Sequence, residues 1–432
     1  MKIKTKKAKC EKILALPTPK HKAPKRPSFL LSSLIRVVSI PDMLQTKFKY
    51  TEERMDDAGK GPWLILMNHS SFIDLEIAYK IFYPKPFCTV CTHDAMVGKS
   101  MLMRYIGCIP TQKFVSDSRL ISDMKYALHG LKTSVLMFPE AGYSFDGKAT
   151  ALPRKLGVLL KLLKVPVIYV QTYGAFARDP LYNGLQKRKV NVSAHVKCLL
   201  TADEIASTPI KELDRIIDEA FSFDNFAWQS ENNVEIDEPF RADFLNRLLY
   251  KCPACGKEGE MEGKGTSLIC HACGKTYELD TLGKLHATEG ETEFAHIPDW
   301  YEWEREEVKK EILDGTYSLD IDVEIMIMTD YKALYKVGEG HLTHNAEGFR
   351  LVGCDGQIDY SQSTRFSHSL NADYLWYEIG DVICIGDADR SFYCFPKSGD
   401  VVAKTRLATE ELYKMAKRPR PKKEAADASA EE

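Results

Sequence analysis

The chain has 432 residues, of which 44% are hydrophobic and 28% charged, and its formal net charge is −2. That length predicts two or three domains at roughly 100–200 residues each, and the near-zero charge gives no overall field for nucleic acid, so no nucleic-acid partner is expected. No apolar run reaches the ~18 residues of a membrane-spanning helix, so none is expected.

The charge is uneven along the chain. Residues 1–27 hold ten Lys or Arg against one acid, Glu11, a net +9. Pro17, Pro19, Pro24 and Pro27 interrupt this stretch and argue against a secretory signal. It reads as a basic, disordered tail, either merely solvated or suited to an anionic membrane surface. Residues 28–40 follow with helical amphipathicity. Ser28, Ser32, Arg36 and Ser39 share one face, and Phe29, Leu30, Leu31, Leu34, Ile35 and Val38 cover much of the rest. Two readings stand open: a helix lying in a membrane interface, or a helix capping the next domain's core.

From about 60 to 230, strand and helix signals alternate. Trp63 to Met67, Ser134 to Phe138 and Pro166 to Val170 read as short buried strands. Helical patterns follow through Tyr79, over 118–131 and over 156–163. This alternation predicts an α/β domain over 28–230 with a largely parallel sheet. Residues 231–245 read as an acidic linker. A small cysteine-bearing module occupies 250–280. A helix over 298–313 opens a second region ending near 417, where short β-rich runs separated by Gly and Asp precede a helix over 404–417. That order predicts a small antiparallel barrel or sandwich, and it resembles the pleckstrin-homology-like layout in element order. Residues 418–432 read as a disordered tail.

The strongest motif is Asn68-His69-Ser70-Ser71-Phe72-Ile73-Asp74, directly after a buried strand. Within one regular helix, residues five apart do not face each other. His69 and Asp74 can meet if His69 lies in the strand-to-helix turn and Asp74 in the first helical turns, with Ser70 or Ser71 capping the helix. The helix dipole would then disfavour imidazolium and keep His69 neutral. Asp74 would take one ring N–H and leave the other nitrogen as a general base for an alcohol. Phe138-Pro139-Glu140-Ala141-Gly142-Tyr143-Ser144 also follows a short strand, at the sheet edge where open α/β sheets bind ligands. There Glu140 could bind acceptor hydroxyls, and Gly142 permits close backbone approach.

Together, some 70 residues apart, these two motifs resemble the glycerophospholipid acyltransferase family, which includes the 1-acylglycerol-3-phosphate acyltransferases. The family carries N-H-x4-D first and F-P-E-G-T-R-S later. Gly107 to Lys113 matches an intervening block that ends in a basic residue, and Val165 to Val170 matches a fourth. The resemblance covers residues 30–225. It implies acyl transfer from acyl-CoA or acyl-carrier protein to a glycerolipid hydroxyl, with 1-acylglycerol-3-phosphate giving phosphatidate. His69 would be the base and Asp74 its orienter. Asn68, Lys113, Glu140, Gly142 and Ser144 would bind substrate. The setting would be peripheral, at the cytoplasmic face of the cell membrane, with a lysophospholipid acceptor.

There are two departures from the pattern. Ala141 replaces a glycine, and Tyr143 stands where the family has the arginine that grips the acceptor phosphate. A phenol cannot make arginine's bidentate charged contact. Either Lys113, Arg154 or Lys155 supplies that charge, or the acceptor carries less of it. These departures also feed a different reading, a lipid-binding or scaffolding protein with a decayed transferase domain.

Cys252-x2-Cys255 and Cys270-x2-Cys273 give C-x2-C-x14-C-x2-C, with Gly256 and Gly274 after the pairs. Four thiolates at this spacing predict a structural zinc ribbon, closed and therefore not catalytic. Cys88-x2-Cys91 with His93 has nothing to complete it and reads as packing. The remaining cysteines are scattered among apolar neighbours, which favours a reducing compartment.

Overall fold

The computed structural model describes residues 2–416 except 116, 151, 154 and 398. The expected tail at 418–432 and Arg154 lie outside the described residues.

A short strand, β1 (Thr5–Lys7), and a helical turn, Cys10–Leu14, open the chain. Seven strands then build one sheet: β2 (Lys49–Glu53), β3 (Leu64–Met67), β4 (Phe87–Thr92), β5 (Cys108–Thr111), β6 (Ser134–Met137), β7 (Val167–Tyr173) and β8 (Ser193–Leu200). Their order is β2-β8-β7-β3-β6-β4-β5. The sheet is mixed. β3, β4, β5, β6 and β7 run in one direction, and β8 pairs antiparallel with β7. Only two short helical turns, Ala175–Arg178 and Leu181–Asn183, connect β7 to β8, and no long crossover helix carries the chain back to the far edge.

Leu64 to Met67 are buried on both faces of the sheet, which is why β3 reads as an unbroken apolar run. Leu64 and Leu66 enter one core with Val135, Leu160, Leu213 and Ile217; Ile65 and Met67 enter another with Ile77, Tyr79, Ile168 and Val196. This is the strand period of two, read as two cores. Because five strands share a direction, the segments that follow them gather at one edge.

Next come the four strands of the cysteine module, β9 (Met261–Lys264), β10 (Ser267–Cys270), β11 (Thr276–Leu279) and β12 (Leu285–Ala287), all antiparallel. The helix Ile297–Leu313 leads to β13 (Leu319–Met328), β14 (Leu334–Asn345), β15 (Gly348–Gly353), β16 (Ile358–Ser363), β17 (Asn371–Trp376), β18 (Gly380–Gly386) and β19 (Ser391–Pro396). Their order is β16-β15-β14-β13-β19-β18-β17, every neighbour antiparallel, and the helix Val402–Met415 follows.

Two expectations change. Residues 1–27 were expected as a disordered tail, yet Lys4 to Ala8 bond along a strand edge and Cys10–Leu14 is helical. β15 pairs only with Gly340–Asn345 of β14, so the edge at Leu334–Lys336 is open, and β1 fills it in parallel. Cys10 and Ile13 are buried behind it, while all ten basic side chains stay exposed. The expected linker at 231–245 is also packed, with Ile236, Ala242 and Leu245 buried. Ala242 and Leu245 join one core that runs from Phe145, Phe176 and Phe226 through Met261, Leu268 and Tyr277 to Trp300 and the C-terminal strands, and Ile236 packs with Ala177 and Val190. Both readings left open for the helix Phe29–Val38 find a counterpart: Ile35 packs against the core of Met43 and Ile77, and much of the remaining apolar surface is uncovered. Ser32 and, just beyond its end, Ser39 are buried, whereas Phe29, Leu30, Leu34, Val37 and Val38 are exposed.

Candidate active site

β3 ends at Met67, and the next turn brings His69 to the gathering edge of the sheet. Asp74 is the first residue of the helix Asp74–Phe82 and is buried. His69 Nδ1 lies 3.0 Å from Asp74 Oδ2, which also accepts from the Ser70 and Ser71 backbone N–H groups at 2.9 and 3.1 Å. Three donors on one oxygen fix the carboxylate, so Nδ1 carries the proton and Nε2 keeps its lone pair. The His69 side chain keeps 19% exposure, enough for a substrate atom to reach it. Burial lowers its pKa below the usual 6.5, against the opposing pull of Asp74, and the charge of Lys113 adds to the lowering. Burial is thus the largest influence disfavouring imidazolium here.

Ile73, in the N-cap position of the Asp74–Phe82 helix, makes no side-chain cap bond, and Ser71 Oγ accepts from Ile73 N at 3.3 Å just ahead of the helix. Ser70 Oγ instead accepts from Asn68 Nδ2 at 3.0 Å, and Ser71 Oγ donates to the buried Asp179 carboxylate. The Asn68 amide oxygen accepts from Thr172 N at 2.8 Å and Thr172 Oγ1 at 3.1 Å. Asn68, expected among the substrate-binding residues, thus stitches the turn to the end of β7, with its amide oxygen and nitrogen both bonded within the protein.

The second motif is tied to the first by two backbone links. Glu140 Oε1 accepts from His69 N at 3.0 Å, and Ser144 N donates to His69 O at 3.2 Å. Glu140 Oε2 accepts from Thr150 N at 2.9 Å and Thr150 Oγ1 at 3.2 Å. Both carboxylate oxygens are thereby engaged within the protein, and burial raises the Glu140 pKa to about 7. Glu140 was expected as an acceptor-binding group; here its two oxygens hold the backbone N–H groups of His69 and Thr150. Ser144 is likewise buried, its Oγ donating to Lys148 O at 2.6 Å. Gly142 faces open space, so close backbone approach is possible there. Ala141, where the family pattern has glycine, has a φ of 56°, the left-handed region that disfavours a Cβ.

The His69 ring is sandwiched between Phe138 at 4.2 Å and Tyr143 at 4.1 Å between centroids, with the exposed Phe72 5.2 Å from Tyr143. Lys113, after β5, is near enough to act electrostatically on His69. The structure therefore brings His69, Asp74, Lys113, Glu140, Gly142 and Tyr143 to one edge. Thr150, Thr172 and Asp179 are supporting residues that sequence reading missed. Their partners lie 10, 104 and 108 residues away, and no local spacing signals them.

Away from this edge, the sulfurs of Cys252, Cys255, Cys270 and Cys273 all lie within 4.8 Å of one another, with Cys252–Cys273 and Cys255–Cys270 at 3.8 Å. A tetrahedral ion with Zn–S bonds of ~2.3 Å has sulfurs about 3.8 Å apart, so the donor set fits. The Gly256 and Gly274 N–H groups bond back to Cys252 O and Cys270 O at 2.8 Å, with φ of 71° and 76°. Cys88, by contrast, is buried packing in β4.

A search among curated proteins found no match. Among solved structures, the chain is similar to the 1-acyl-sn-glycerophosphate (LPA) acyltransferase PlsC from Thermotoga maritima, at 16% identity and a TM-score of 0.35, covering 44% of this chain and 76% of that one. Residues 38–172, the segment that holds both the His69–Asp74 pair and the Phe138–Ser144 motif, match the model of the Acyltransferase family.

Proposed function

We propose that the protein transfers a fatty acyl group from acyl-CoA or acyl-carrier protein to a glycerolipid hydroxyl, with 1-acylglycerol-3-phosphate as the acceptor that the motif pattern implies. The observation that carries this reading is the His69 Nδ1–Asp74 Oδ2 contact of 3.0 Å on a ring that is still part-exposed. His69 Nε2 takes the proton of the acceptor hydroxyl as that oxygen attacks the thioester carbonyl. The tetrahedral intermediate then collapses, the C–S bond breaks, and the imidazolium returns the proton to the leaving thiolate. Asp74 holds the imidazolium in place, and no acyl-enzyme is needed.

The setting is a membrane surface. Among the described residues no helix is long and apolar enough to cross a membrane. The Phe29–Val38 helix turns its serines to the protein and exposes Phe29, Leu30 and Leu34 at 64%, 79% and 57%. Ser28 N donates to Tyr105 O at 2.8 Å, which places the exposed Met101, Leu102 and Tyr105 beside the start of that helix. Exposed Lys22, Lys25 and Arg26 precede it. Apolar residues rimmed by cations suit an anionic bilayer, consistent with peripheral binding at the cytoplasmic face. The four cysteines would hold a structural zinc ion that closes the β9–β12 module.

The test is acyl transfer by the purified protein, run with both donors on a lysophospholipid panel. His69→Ala is expected to lower transfer by about 10²–10⁴-fold or more with the far-UV spectrum unchanged. Activity that survives this substitution would overturn the mechanism. A wild-type protein that binds lysophospholipid yet transfers nothing would favour the decayed, lipid-binding reading.

A further inference from the structure

The C-terminal strands and the helix that follows them lie outside the residues that match the acyltransferase family, yet they reach two loops at the active-site edge. Gln112 Nε2, one residue before Lys113, donates to Ser391 Oγ at 2.8 Å. A closer grip falls on the loop of the second motif. There the Tyr143 ring lies 4.1 Å from the His69 ring, and Ser144 N donates to His69 O at 3.2 Å. Phe145 comes next and is 2% exposed. Two partners of its ring come from the C-terminal region. The Arg406 guanidinium, on the helix Val402–Met415, lies over the ring at 4.3 Å from its centroid, and the Tyr374 ring of β17 is 4.7 Å away. Tyr374 is itself fixed, its hydroxyl donating to Arg247 O at 2.7 Å.

A phenyl ring in a core needs no cation, and a buried guanidinium is costly unless it is paired. Arg406 is buried, with Nε 3.3 Å from Glu410 Oε1. Glu410 does not serve Arg406 alone. Its Oε2 lies 2.8 Å from Arg305 Nη1, and its Oε1 accepts from Ser369 Oγ at 2.7 Å. Arg305 also donates to Glu411 Oε1 at 3.1 Å. Asp146, next in the chain after Phe145, accepts from Lys148 N at 3.2 Å and lies in the field of both guanidiniums. Two guanidiniums and two carboxylates thus form one network between the helices Ile297–Leu313 and Val402–Met415, and the Arg406 end of it rests on Phe145. In a site shielded from water, a cation over a ring face holds that ring more firmly than apolar contact does. A shift at Phe145 would pass directly to Ser144 and Tyr143, the two residues of this loop that touch His69.

We propose that Arg406 is a positioning residue contributed by the C-terminal helix: with Tyr374 it clamps Phe145, and so holds Tyr143 against the His69 ring and the Ser144 N–H on the His69 backbone. This deepens the acyl-transfer reading and rests on it. The clamp acts on the chemical step, because it sets where the base stands, and leaves acceptor affinity to other groups.

The experiment measures kcat and acceptor KM per folded full-length protein, with the donor and lysophospholipid of the panel that serve the wild type best. Arg406→Gln and Phe145→Leu are each expected to lower kcat about tenfold with KM within about twofold, the mark of a misplaced base. The double variant is expected to stay within about twofold of either single one, because both break the same contact. Arg406→Lys keeps a cation over the ring and is expected to stay within about threefold of the wild type. Phe145→Leu changes no charge, so Asp74, Lys113, Glu140 and Tyr143 surround His69 as before. A loosened loop admits water to the ring, and burial is what lowers its pKa, so the acid limb of kcat/KM is expected to move up toward pH 6.5. A protein that is merely less stable keeps its limb in place. Phe145→Leu leaves the ion network whole, so it decides even if Arg406→Gln fails to fold. A folded Phe145→Leu with the wild-type kcat or an unmoved limb overturns the proposal and leaves acyl transfer standing. Losses that multiply in the double variant do the same, as does an Arg406→Lys no faster than Arg406→Gln. A wild type that acylates no member of the panel overturns the acyl-transfer reading itself, and the proposal with it.

Discussion

At the scale of single residues, the proposed mechanism makes the protonation of His69 set the pH response. The ring acts as a base only when neutral, and burial holds its pKa below 6.5. Transfer is therefore expected to rise with pH below 6.5 and to be level by about pH 7. Asp74 is the group that raises the His69 pKa. Asp74→Asn should accordingly move the acid limb to lower pH and cut the plateau at least about a hundredfold. A pH–rate profile of both proteins checks this, and a limb that moves upward in the variant would contradict the assignment. Glu304 offers a second titration, far from the site. It is buried, and its Oε1 accepts from Lys251 N at 2.8 Å. Burial raises its pKa well above the usual carboxylate range. The folded state then keeps a proton that the unfolded state has already lost, so its stabilising contribution is complete below about pH 4.5 and declines as pH rises toward the folded pKa. Glu304→Gln does not titrate. Its melting temperature is expected to gain on the wild type as pH goes from 5 to 8, which thermal melts at both pH values will show.

Among elements, the Phe29–Val38 helix shows what periodicity leaves open. Its apolar and polar faces are plain in sequence, and either could have faced the core. The buried side is the serine side, because Ser32 and Ser39 pack inward and the Ser39 hydroxyl donates to Ile35 O at 2.8 Å. Leu30→Glu with Leu34→Glu should therefore leave melting temperature within about 1 °C, since exposed substitutions alter stability little. The same pair is expected to weaken sedimentation with vesicles of anionic phospholipid about tenfold or more, because apolar insertion is replaced by like charge. Unchanged vesicle binding would remove this helix from the membrane contact.

For the molecule as a whole, the cysteine module is structurally continuous with its neighbours. Trp300 packs against Tyr277 with centroids 5.0 Å apart, and its indole N–H donates to Lys251 O at 3.0 Å. Cys252, Cys270, Trp300 and the inner residues of β13 share one core with Phe145 and Phe226. A metal assay is expected to find about one zinc per chain. Its removal by a chelator should quench or shift Trp fluorescence and lower the unfolding temperature of the whole chain in one transition, because binding energy at such a site is folding energy. A chelated protein that melts as before would argue against a structural ion.

How much could be read beforehand differs with the distance between partners. The sequence by itself determined the strand-and-helix alternation, the turn that lets His69 meet Asp74, and the four-cysteine knuckles, because each depends on residues a few positions apart. It also marked Tyr143 as the departure that loosens the acceptor's identity. Only the tertiary structure decided the rest. The pairing of β1 with an open edge on β14 could not be read from a lysine-rich, proline-interrupted segment. The role of Glu140 turned on partners at His69 and Thr150, and the side of the Phe29–Val38 helix that faces inward turned on what packs beneath it. The bond from Gln112 to Ser391 required residues 279 apart in sequence to share one wall. Local chemistry is written in spacing; the walls around the site arise from long-range packing, which no spacing records.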